Sequence, residues 1–230
     1  MTEEVPRVEK TLNWQKFKQM ALLGIAASAL LLALQYCQGD RRDRLEPFDG
    51  EIAPLVMEGG DPYVRALMRT ISASESNVRR PYAVLYGGEY IDDLSEHPDR
   101  CIPIVSGPNW GDCTTAAGRY QFITTTWLEV ADRYHPDPSH FLFWISYSFE
   151  PEYQDRVVHR WLSDRAAWGA DIPALLRQGN LDEVFWLLSG TWTSLSYGIE
   201  RNSMTPYLFE IYWEMLDEEL GTARSSRSQT

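Results

Sequence analysis

The sequence predicts an α+β fold that is mostly α: a helical domain with one small β-hairpin, preceded by a single transmembrane helix. Over residues 61–221, apolar side chains recur every three or four positions, as in helices that are buried on one side. The short segment Tyr82–Tyr86 is instead rich in β-forming residues. Ahead of both, Met20–Cys37 contains no charged residue.

The uncharged segment Met20–Cys37 is typical of a signal anchor. As a helix it would reach about 27 Å, just enough for the hydrocarbon core of a bilayer. The polar region before it is long for a cleaved signal peptide, and no small-residue cleavage site follows. Bulky Gln35 and Tyr36 disfavour a lipoprotein site at Cys37. We therefore predict a cytoplasmic tail (1–19), an anchor (20–37), a linker (38–60), a folded domain (61–221) and a disordered tail (222–230).

The first helix of the domain is predicted to begin at Asp61-Pro62 and to end at Glu75. Asp61 is a suitable side-chain cap, and proline is well tolerated at the first helical position. The helix carries one apolar stripe, formed by Val64, Leu67, Met68 and Ile71. Glu75 continues this stripe, so its carboxyl group should face the core. Desolvation raises the pKa of such a group, as a general acid working near neutrality requires.

The remaining elements are predicted from the same patterns. Tyr82–Tyr86 and Glu89–Ile91 should form a hairpin around a Gly87-Gly88 turn. Thr126 and Glu129 have the spacing of a capping box at the start of the next helix. Further helices are expected from Pro151, over about 172–178 and 181–189, and from Thr205 to Leu220.

Cys101 and Cys113 flank a loop rich in glycine, proline and asparagine. A disulfide between them would contribute on the order of 3 kcal/mol to stability. Such bonds persist in oxidising compartments, so we expect the domain to lie outside the cytoplasm, in the periplasm or cell envelope. Two unrelated thiols are the alternative.

Composition and motifs exclude several functional classes. The net charge is −12 and no basic run exceeds two residues, which disfavours nucleic-acid binding. The chain has no Walker loop, nucleotide fingerprint or Ser-His-Asp arrangement. No second histidine stands at ligand spacing from His97, which we expect to hold the hairpin through hydrogen bonds. We expect neither a metal nor a cofactor.

Three stretches occur in a characteristic order: Ser74-Glu75-Ser76, GGEYIDDLSEHP at 87–98, and AAGRYQF at 116–122. A later segment, Trp192 to Gly198, adds a Trp-x-Ser-Leu and a Tyr-Gly pair. Together they resemble the lysozyme-like superfamily, and most closely the lambda-type endolysins, which are lytic transglycosylases. The resemblance covers about residues 63–218.

The resemblance implies cleavage of the β-1,4 bond between N-acetylmuramic acid and N-acetylglucosamine in peptidoglycan glycan strands. Glu75 would protonate the leaving oxygen and then deprotonate the C6 hydroxyl of the sugar. The alternative is a hydrolytic muramidase in which Asp93 or Glu89 is the second acid. A glycan-binding module without turnover and a helical membrane scaffold are the remaining alternatives.

The substrate-binding residues expected from these motifs are Ser76, Gly118, Arg119, Tyr120, Gln121 and Tyr197. Arg119 could instead be a buried ion-pair partner of the hairpin acids. Trp110 and Trp192 could stack on sugar rings or pack in the core.

Overall fold

The computed structural model describes residues 51–105 and 109–227, so the anchor predicted over residues 20–37 lies outside the described residues. Within these two ranges, no helix is long and apolar enough to cross a membrane. The described residues belong to one structural unit, which begins at Leu45.

Helices dominate the described part of the chain. They are α1 (Pro62–Glu75), α2 (Thr124–Tyr134), α3 (Pro151–Ser163), α4 (Arg165–Trp168), α5 (Ile172–Arg177), α6 (Leu181–Leu188) and α7 (Leu208–Arg227). Short 3₁₀ turns occur at Pro81–Ala83, Tyr86–Gly88 and Thr205–Tyr207.

Two helix ends differ from the sequence prediction. Helix α2 begins at Thr124, so its N-cap residue is Ile123, whose side chain has no hydrogen-bond acceptor. The Thr124 amide donates instead to Thr115 Oγ1 at 2.9 Å. The predicted capping box at Thr126 is therefore wrong. Helix α7 continues to Arg227 rather than ending at Leu220, so the tail predicted from residue 222 is helical over its first residues.

Helix α1 lies at the centre of the core and presents Glu75 at its end. The side chain of Asp61 accepts a hydrogen bond from the Tyr63 amide, so the predicted cap is present. The stripe residues Val64, Leu67, Met68 and Ile71 are fully buried. The helix packs against α3, α5 and α7, which fixes its direction and therefore the position of its last residue.

The hairpin predicted around Gly87-Gly88 is present only in a short form. The Leu85 amide donates to the Glu89 carbonyl at 2.8 Å, and the Ile91 amide donates to the Ala83 carbonyl at 2.9 Å. A single bridge joins Val84 to Tyr90, and Leu85 bridges Ala117 instead. Pro81 starts a 3₁₀ turn, and both glycines have left-handed φ angles, 82° and 94°. These turns leave too few extended residues for a ladder.

The two strand pairs of the described residues lie elsewhere. Strand β1 (Ile102–Pro103) pairs antiparallel with β2 (Cys113–Thr114). Strand β3 (Ser139–Phe141) pairs antiparallel with β4 (Trp144–Ser146), with Phe141 opposite Trp144. The second pair is a hairpin that the sequence analysis did not identify.

The segment 51–57 is part of the folded domain, and we call it the N-terminal strap. Its apolar side chains, Ile52, Leu55 and Met57, are buried in the main hydrophobic cluster. The linker predicted over residues 38–60 is therefore wrong in this part. Burial of these three side chains stabilises the strap against the domain by removing apolar surface from water.

Buried polar groups also hold the strap. The Arg119 guanidinium donates hydrogen bonds to the carbonyl oxygens of Ala53 at 2.5 Å and Pro54 at 2.8 Å. The Asp155 carboxylate accepts from the Val56 amide at 2.8 Å. The boundary between structural units falls between Arg44 and Leu45, so a fragment 45–230 keeps this complete core. A chain of roughly 190 residues buries enough surface to fold unaided.

Candidate active site

An open cleft of about 910 Å³ runs past the end of α1. Its walls come from the last turn of α1, the loop between Cys101 and Cys113, the 116–123 segment, α2, and residues 190–202. Clefts of this size accommodate ligands of several rings. Glu75 is one of the lining residues, so the acid at the end of the central helix faces a space large enough for a substrate.

The pKa of Glu75 is raised from its ordinary value of 4.5 to about 7. The largest cause is burial, which removes water from around the carboxylate and so disfavours its charge. The Ser194 hydroxyl opposes this effect because it donates a hydrogen bond to the carboxylate, whereas the negative charge of Glu200 raises the pKa further. The raised pKa has the cause that the sequence predicts, which is desolvation of an inward-facing carboxyl group, and it leaves Glu75 close to half protonated at neutral pH.

Two serine hydroxyls hold the Glu75 carboxyl group in place. Ser194 Oγ lies 2.5 Å from Glu75 Oε1 and donates to it, and Ser74 Oγ donates to Ser194 Oγ at 2.6 Å. Asn202 Nδ2 donates to the Ser74 carbonyl at 2.7 Å, and Thr205 Oγ1 donates to the Ser194 carbonyl at 3.2 Å. The carboxyl group is thus oriented by a connected set of hydrogen bonds.

The two predicted second acids lie away from the cleft walls. Glu89 is exposed and forms an ion pair with Arg100 at 2.7 Å. Asp93 is exposed, and hydrogen bonds from the side chain and amide of Ser95 lower its pKa. Neither residue lines the cleft that contains Glu75. The 3₁₀ turn Tyr86–Gly88 comes just before Glu89, whose side chain lies at the surface.

Two other carboxylates, Glu200 and Glu129, line the cleft. Glu200 is exposed, and its Oε2 accepts a hydrogen bond from Thr193 Oγ1 at 2.9 Å. The sequence analysis missed Glu200 because it follows no periodic pattern and lies outside any helix or strand. Glu129, predicted as part of a capping box with Thr126, lies within α2 and not at its start.

Tyr120 and Gln121, two of the residues predicted to bind substrate, line the cleft. Tyr120 is almost wholly buried, and its hydroxyl donates to Asp155 at 2.6 Å, so it forms the floor of the cleft rather than a mobile contact. Gln121 adopts a left-handed φ of 47°, and its Nε2 donates to the Gly118 carbonyl at 3.0 Å. This internal bond fixes the direction of the amide side chain.

Ser76, Gly118 and Arg119 support the site from behind and do not line the cleft. Ser76 Oγ donates to the Arg119 carbonyl at 2.7 Å, which ties the end of α1 to the 116–123 segment. A side chain at Gly118 would overlap Gln154 and Phe149, so this glycine serves close packing rather than a ligand.

The Arg119 side chain is fully buried, and its guanidinium binds the strap and the Tyr82 hydroxyl, at 2.9 Å. It therefore contacts neither the cleft nor the acids at 89–96. Tyr197, the last predicted substrate residue, is exposed, donates its hydroxyl to Asp182 and is not among the lining residues.

The two tryptophans considered for sugar stacking have different positions. Trp192 borders the cleft, but only 3% of it is exposed, and its Nε1 donates to the Tyr120 carbonyl at 3.1 Å. Its ring packs against Trp161, which is partly exposed and also borders the cleft. Trp110 is exposed but does not line the cleft. Of the three tryptophans, Trp161 is the one that is both partly exposed and part of the cleft lining, so it is the best placed to contact a sugar ring.

His97 forms hydrogen bonds, but to Phe122 and Asp99 and not to the hairpin around Gly87-Gly88 that it was predicted to hold. Its Nε2 donates to the Phe122 carbonyl at 2.7 Å, and its Nδ1 accepts from the Asp99 amide at 3.2 Å. Burial lowers its pKa, so the ring remains neutral near pH 7. Over residues 51–105 and 109–227, no group of three or more His, Cys, Asp or Glu side chains is arranged to hold a metal ion.

A disulfide joins Cys101 to Cys113 and closes the end of the β1–β2 pair. Ile104, Asn109 and Thr114, which belong to this loop or adjoin it, line the cleft. The disulfide thus restrains one wall of the site.

Comparisons with known proteins agree with this geometry. A family model described as Endolysin matches residues 65–215. The solved lysozyme from bacteriophage lambda is similar, with 22% sequence identity, a TM-score of 0.50, and coverage of 69% of this chain and 97% of that chain. The bacteriophage lambda lysozyme complexed with a chitohexasaccharide has 24% identity, with the same coverage and TM-score.

The two solved structures show that the fold is lysozyme-like. No curated protein matches this chain significantly. The family match spans most of the described domain, from the first turns of α1 to α7, and includes every residue that holds Glu75 in place. The chain therefore belongs to the endolysin family, the lysozyme-like glycosidases that cleave peptidoglycan.

Proposed function

We propose that this endolysin is a lytic transglycosylase acting on the β-1,4 bond between N-acetylmuramic acid and N-acetylglucosamine. The observation that carries the proposal is Glu75, a single acid with a pKa of about 7 that faces the cleft. In this reaction one carboxyl group acts first as an acid and then as a base. A group that is close to half protonated at neutral pH can do both.

Bond cleavage begins with the neutral form of Glu75. Its proton moves to the glycosidic oxygen, so the N-acetylglucosamine leaves as an alcohol and positive charge develops at C1 of N-acetylmuramic acid. A positioned general acid contributes roughly 10²–10⁴ to the rate. The Ser194 hydroxyl, 2.5 Å from Glu75 Oε1, keeps the carboxyl group directed at the bond.

The second step uses the carboxylate formed in the first. Glu75 takes the proton of the C6 hydroxyl, and the C6 oxygen bonds to C1 of the same sugar. The product is a 1,6-anhydro sugar, the carboxyl group regains its proton, and no water is consumed. The two acids considered for a hydrolytic mechanism, Glu89 and Asp93, do not line the cleft and so are not available as its second acid.

An extended glycan is the substrate that fits the cleft best. The similar lambda lysozyme was solved with a chitohexasaccharide, a chain of linked amino sugars. By analogy, we place the glycan strand past Glu75, between the disulfide-closed wall and residues 190–202. Trp161 and Gln121 then offer an aromatic surface and an amide group, the two kinds of contact that sugars commonly receive.

Hydrolysis is the second candidate, and Glu200 is the observation that favours it. This carboxylate lines the same cleft and is close enough for its charge to raise the pKa of Glu75. It could orient a water molecule towards C1 as the second acid of a muramidase.

Product analysis separates the two reactions. Purified peptidoglycan is digested with the fragment 45–230, and the masses of the released muropeptides are measured by mass spectrometry. A transglycosylase gives 1,6-anhydro ends, which are lighter by one water than the reducing ends formed by hydrolysis. Reducing ends in the digest of the parent fragment would refute the transglycosylase proposal. Their loss in a Glu200→Gln variant would identify Glu200 as the second acid of a hydrolase.

We also propose that the domain acts outside the cytoplasm, tethered by the anchor predicted over residues 20–37. The Cys101–Cys113 disulfide supports an oxidising compartment. The test is protease treatment of intact spheroplasts that express the full chain. Digestion of the domain without lysis is expected, and protection until lysis would contradict the proposal.

A further inference from the structure

The β3–β4 hairpin carries a continuous exposed apolar surface. Its consecutive residues Phe141, Leu142, Phe143, Trp144 and Ile145 are all exposed, with Phe143 at 97% and Trp144 at 76%. Exposed apolar residues scattered singly are ordinary, but a run of large apolar side chains at one tip indicates a contact surface. None of these residues lines the cleft, so the surface is separate from the candidate active site.

The hairpin is firmly attached at its base. Tyr147, next to β4, donates its hydroxyl to Asp132 of α2 at 2.7 Å. His135, which follows α2, donates from Nε2 to the Ser148 carbonyl at 3.1 Å, and its ring contacts that of Tyr147. The apolar tip is therefore presented by a fixed base.

The apolar residues cover both faces of the hairpin. Successive side chains of a strand point to opposite faces, so Phe141 and Trp144 lie on one face, and Ile145 lies on the other, paired with His140. Leu142 and Phe143 form the turn, with Leu142 at a left-handed φ of 54°. A docked protein or a second copy would cover one face and leave the other in water, whereas lipid surrounds an inserted tip on all sides.

We propose that the tip Phe141–Ile145 inserts into the interfacial region of a lipid bilayer. The segment 139–146 has no Asp, Glu, Lys or Arg, although the chain carries a net charge of −12, so insertion requires no ion to be buried. Phe, Leu and Trp are the side chains that enter this region most favourably. Anionic headgroups would repel the acidic chain, so the expected surface is neutral lipid.

The chain ahead of the domain supports a bilayer as the occupant. The sequence predicts an anchor at 20–37, and 13 residues, 38–50, separate it from the first described residue. A fully extended chain of that length reaches at most about 45 Å. The bilayer would then lie within reach of the domain, and the tip would give it a second point of attachment.

Vesicle flotation tests the proposal with the fragment 45–230, which lacks the predicted anchor. The probe is phosphatidylcholine vesicles without anionic lipid. The test variant combines Phe143→Ser and Trp144→Ser. The matched control is Trp110→Ser, which removes a tryptophan of the same 76% exposure from another loop. Activity on purified peptidoglycan verifies that all three proteins are folded.

The parent fragment and the control should float with the vesicles, and salt should not release them. Each buried large apolar side chain is worth roughly tenfold in partitioning, so the double variant should bind about 100-fold more weakly. Absence of flotation by the parent fragment, or equal flotation of the double variant, would overturn the proposal. The proposal would also be overturned if the parent fragment sediments as a dimer and the double variant as a monomer, because the tip would then bind a second copy of the chain.

Discussion

Ser194 donates a hydrogen bond to Glu75 although the two residues are 119 positions apart in the chain. The distance of 2.5 Å between Ser194 Oγ and Glu75 Oε1 joins the end of the central helix to the segment after α6. This bond favours the charged carboxylate, whereas burial favours the neutral acid. The pKa of about 7 is the balance of these opposing effects, and it can be shifted in either direction by substitution.

Replacing Glu75 by glutamine should remove most of the activity. Glutamine has nearly the same shape and still accepts the Ser194 hydrogen bond, but it cannot transfer a proton. We expect kcat to fall by at least about 10²-fold. Release of muropeptides from purified peptidoglycan measures the change. Glu89→Gln is the control, because this exposed carboxylate lies outside the cleft, and its activity should be unchanged.

Ser194→Ala should move the pH dependence of kcat/KM towards alkaline pH. The variant loses the hydrogen bond that lowers the pKa of Glu75, so the acid remains protonated to a higher pH. The alkaline limb, expected near pH 7 in the parent protein, should shift upward. A uniform loss of rate without a shift would mean that the hydroxyl only positions the carboxyl group.

Glu200→Gln should shift the alkaline limb of the kcat/KM profile towards lower pH. Removing this negative charge eliminates a repulsion that raises the pKa of Glu75, so the acid should lose its proton at a lower pH. The comparison requires pH profiles of parent and variant at the same ionic strength, because salt screens an exposed charge. A profile that does not move would show that the two carboxylates are not coupled.

Glu75→Gln should also stabilise the protein at alkaline pH. The pKa of Glu75 is higher in the folded state than its ordinary value of 4.5, so the folded state binds the proton more tightly. The contribution of the group to stability is complete below pH 4.5 and is lost as the pH rises through about 7. Glutamine has no proton to release over this range, so the variant keeps its stability as the pH rises. Its free energy of unfolding at pH 8 should exceed that of the parent protein by roughly 3 kcal/mol. Urea unfolding at pH 4 and pH 8 measures the difference, which should vanish at pH 4.

Arg119→Met should unfold the strap without altering the cleft directly. The change leaves the carbonyls of Ala53 and Pro54 and the Tyr82 hydroxyl without their buried donor. Loss of a buried charged partner costs roughly 3–5 kcal/mol. The control is Arg80→Met, which breaks an exposed ion pair with Asp92 and should cost less than about 1 kcal/mol.

Denaturant unfolding measures both arginine variants. For Arg119→Met, kcat per folded molecule should remain at the parent value. A raised KM with unchanged stability would instead support the substrate-binding role that the sequence motif suggested.

The central helix and its acid could be predicted because a long amphipathic pattern places every fourth residue on one face. Glu75 lies on that pattern, and its proton affinity follows from its position. The helices of the second half follow the same rule, and α5 and α6 lie within one residue of the ranges predicted for them.

Contacts that depend on the backbone could not be predicted. Arg119 binds two carbonyl groups about 65 positions earlier in the chain, and a carbonyl group carries no signature in the sequence. For this reason the sequence predicts a linker over residues 51–57, where the structure has the strap. Ser194 stood in a recognised motif, but nothing in that motif indicated that its hydroxyl meets Glu75.

The strap also determines how the enzyme would respond to mechanical load. Tension applied to the chain ahead of Glu51 would act on the strap. Three buried apolar side chains and the hydrogen bonds of Arg119 hold the strap to the domain, so it would not extend as a flexible linker does. The backbone carbonyl of Arg119 in turn accepts a hydrogen bond from Ser76 Oγ, and Ser76 is the neighbour of Glu75 in the chain. Tension on the N-terminal side would thus act on the folded domain itself, through a residue that is bonded to the end of α1.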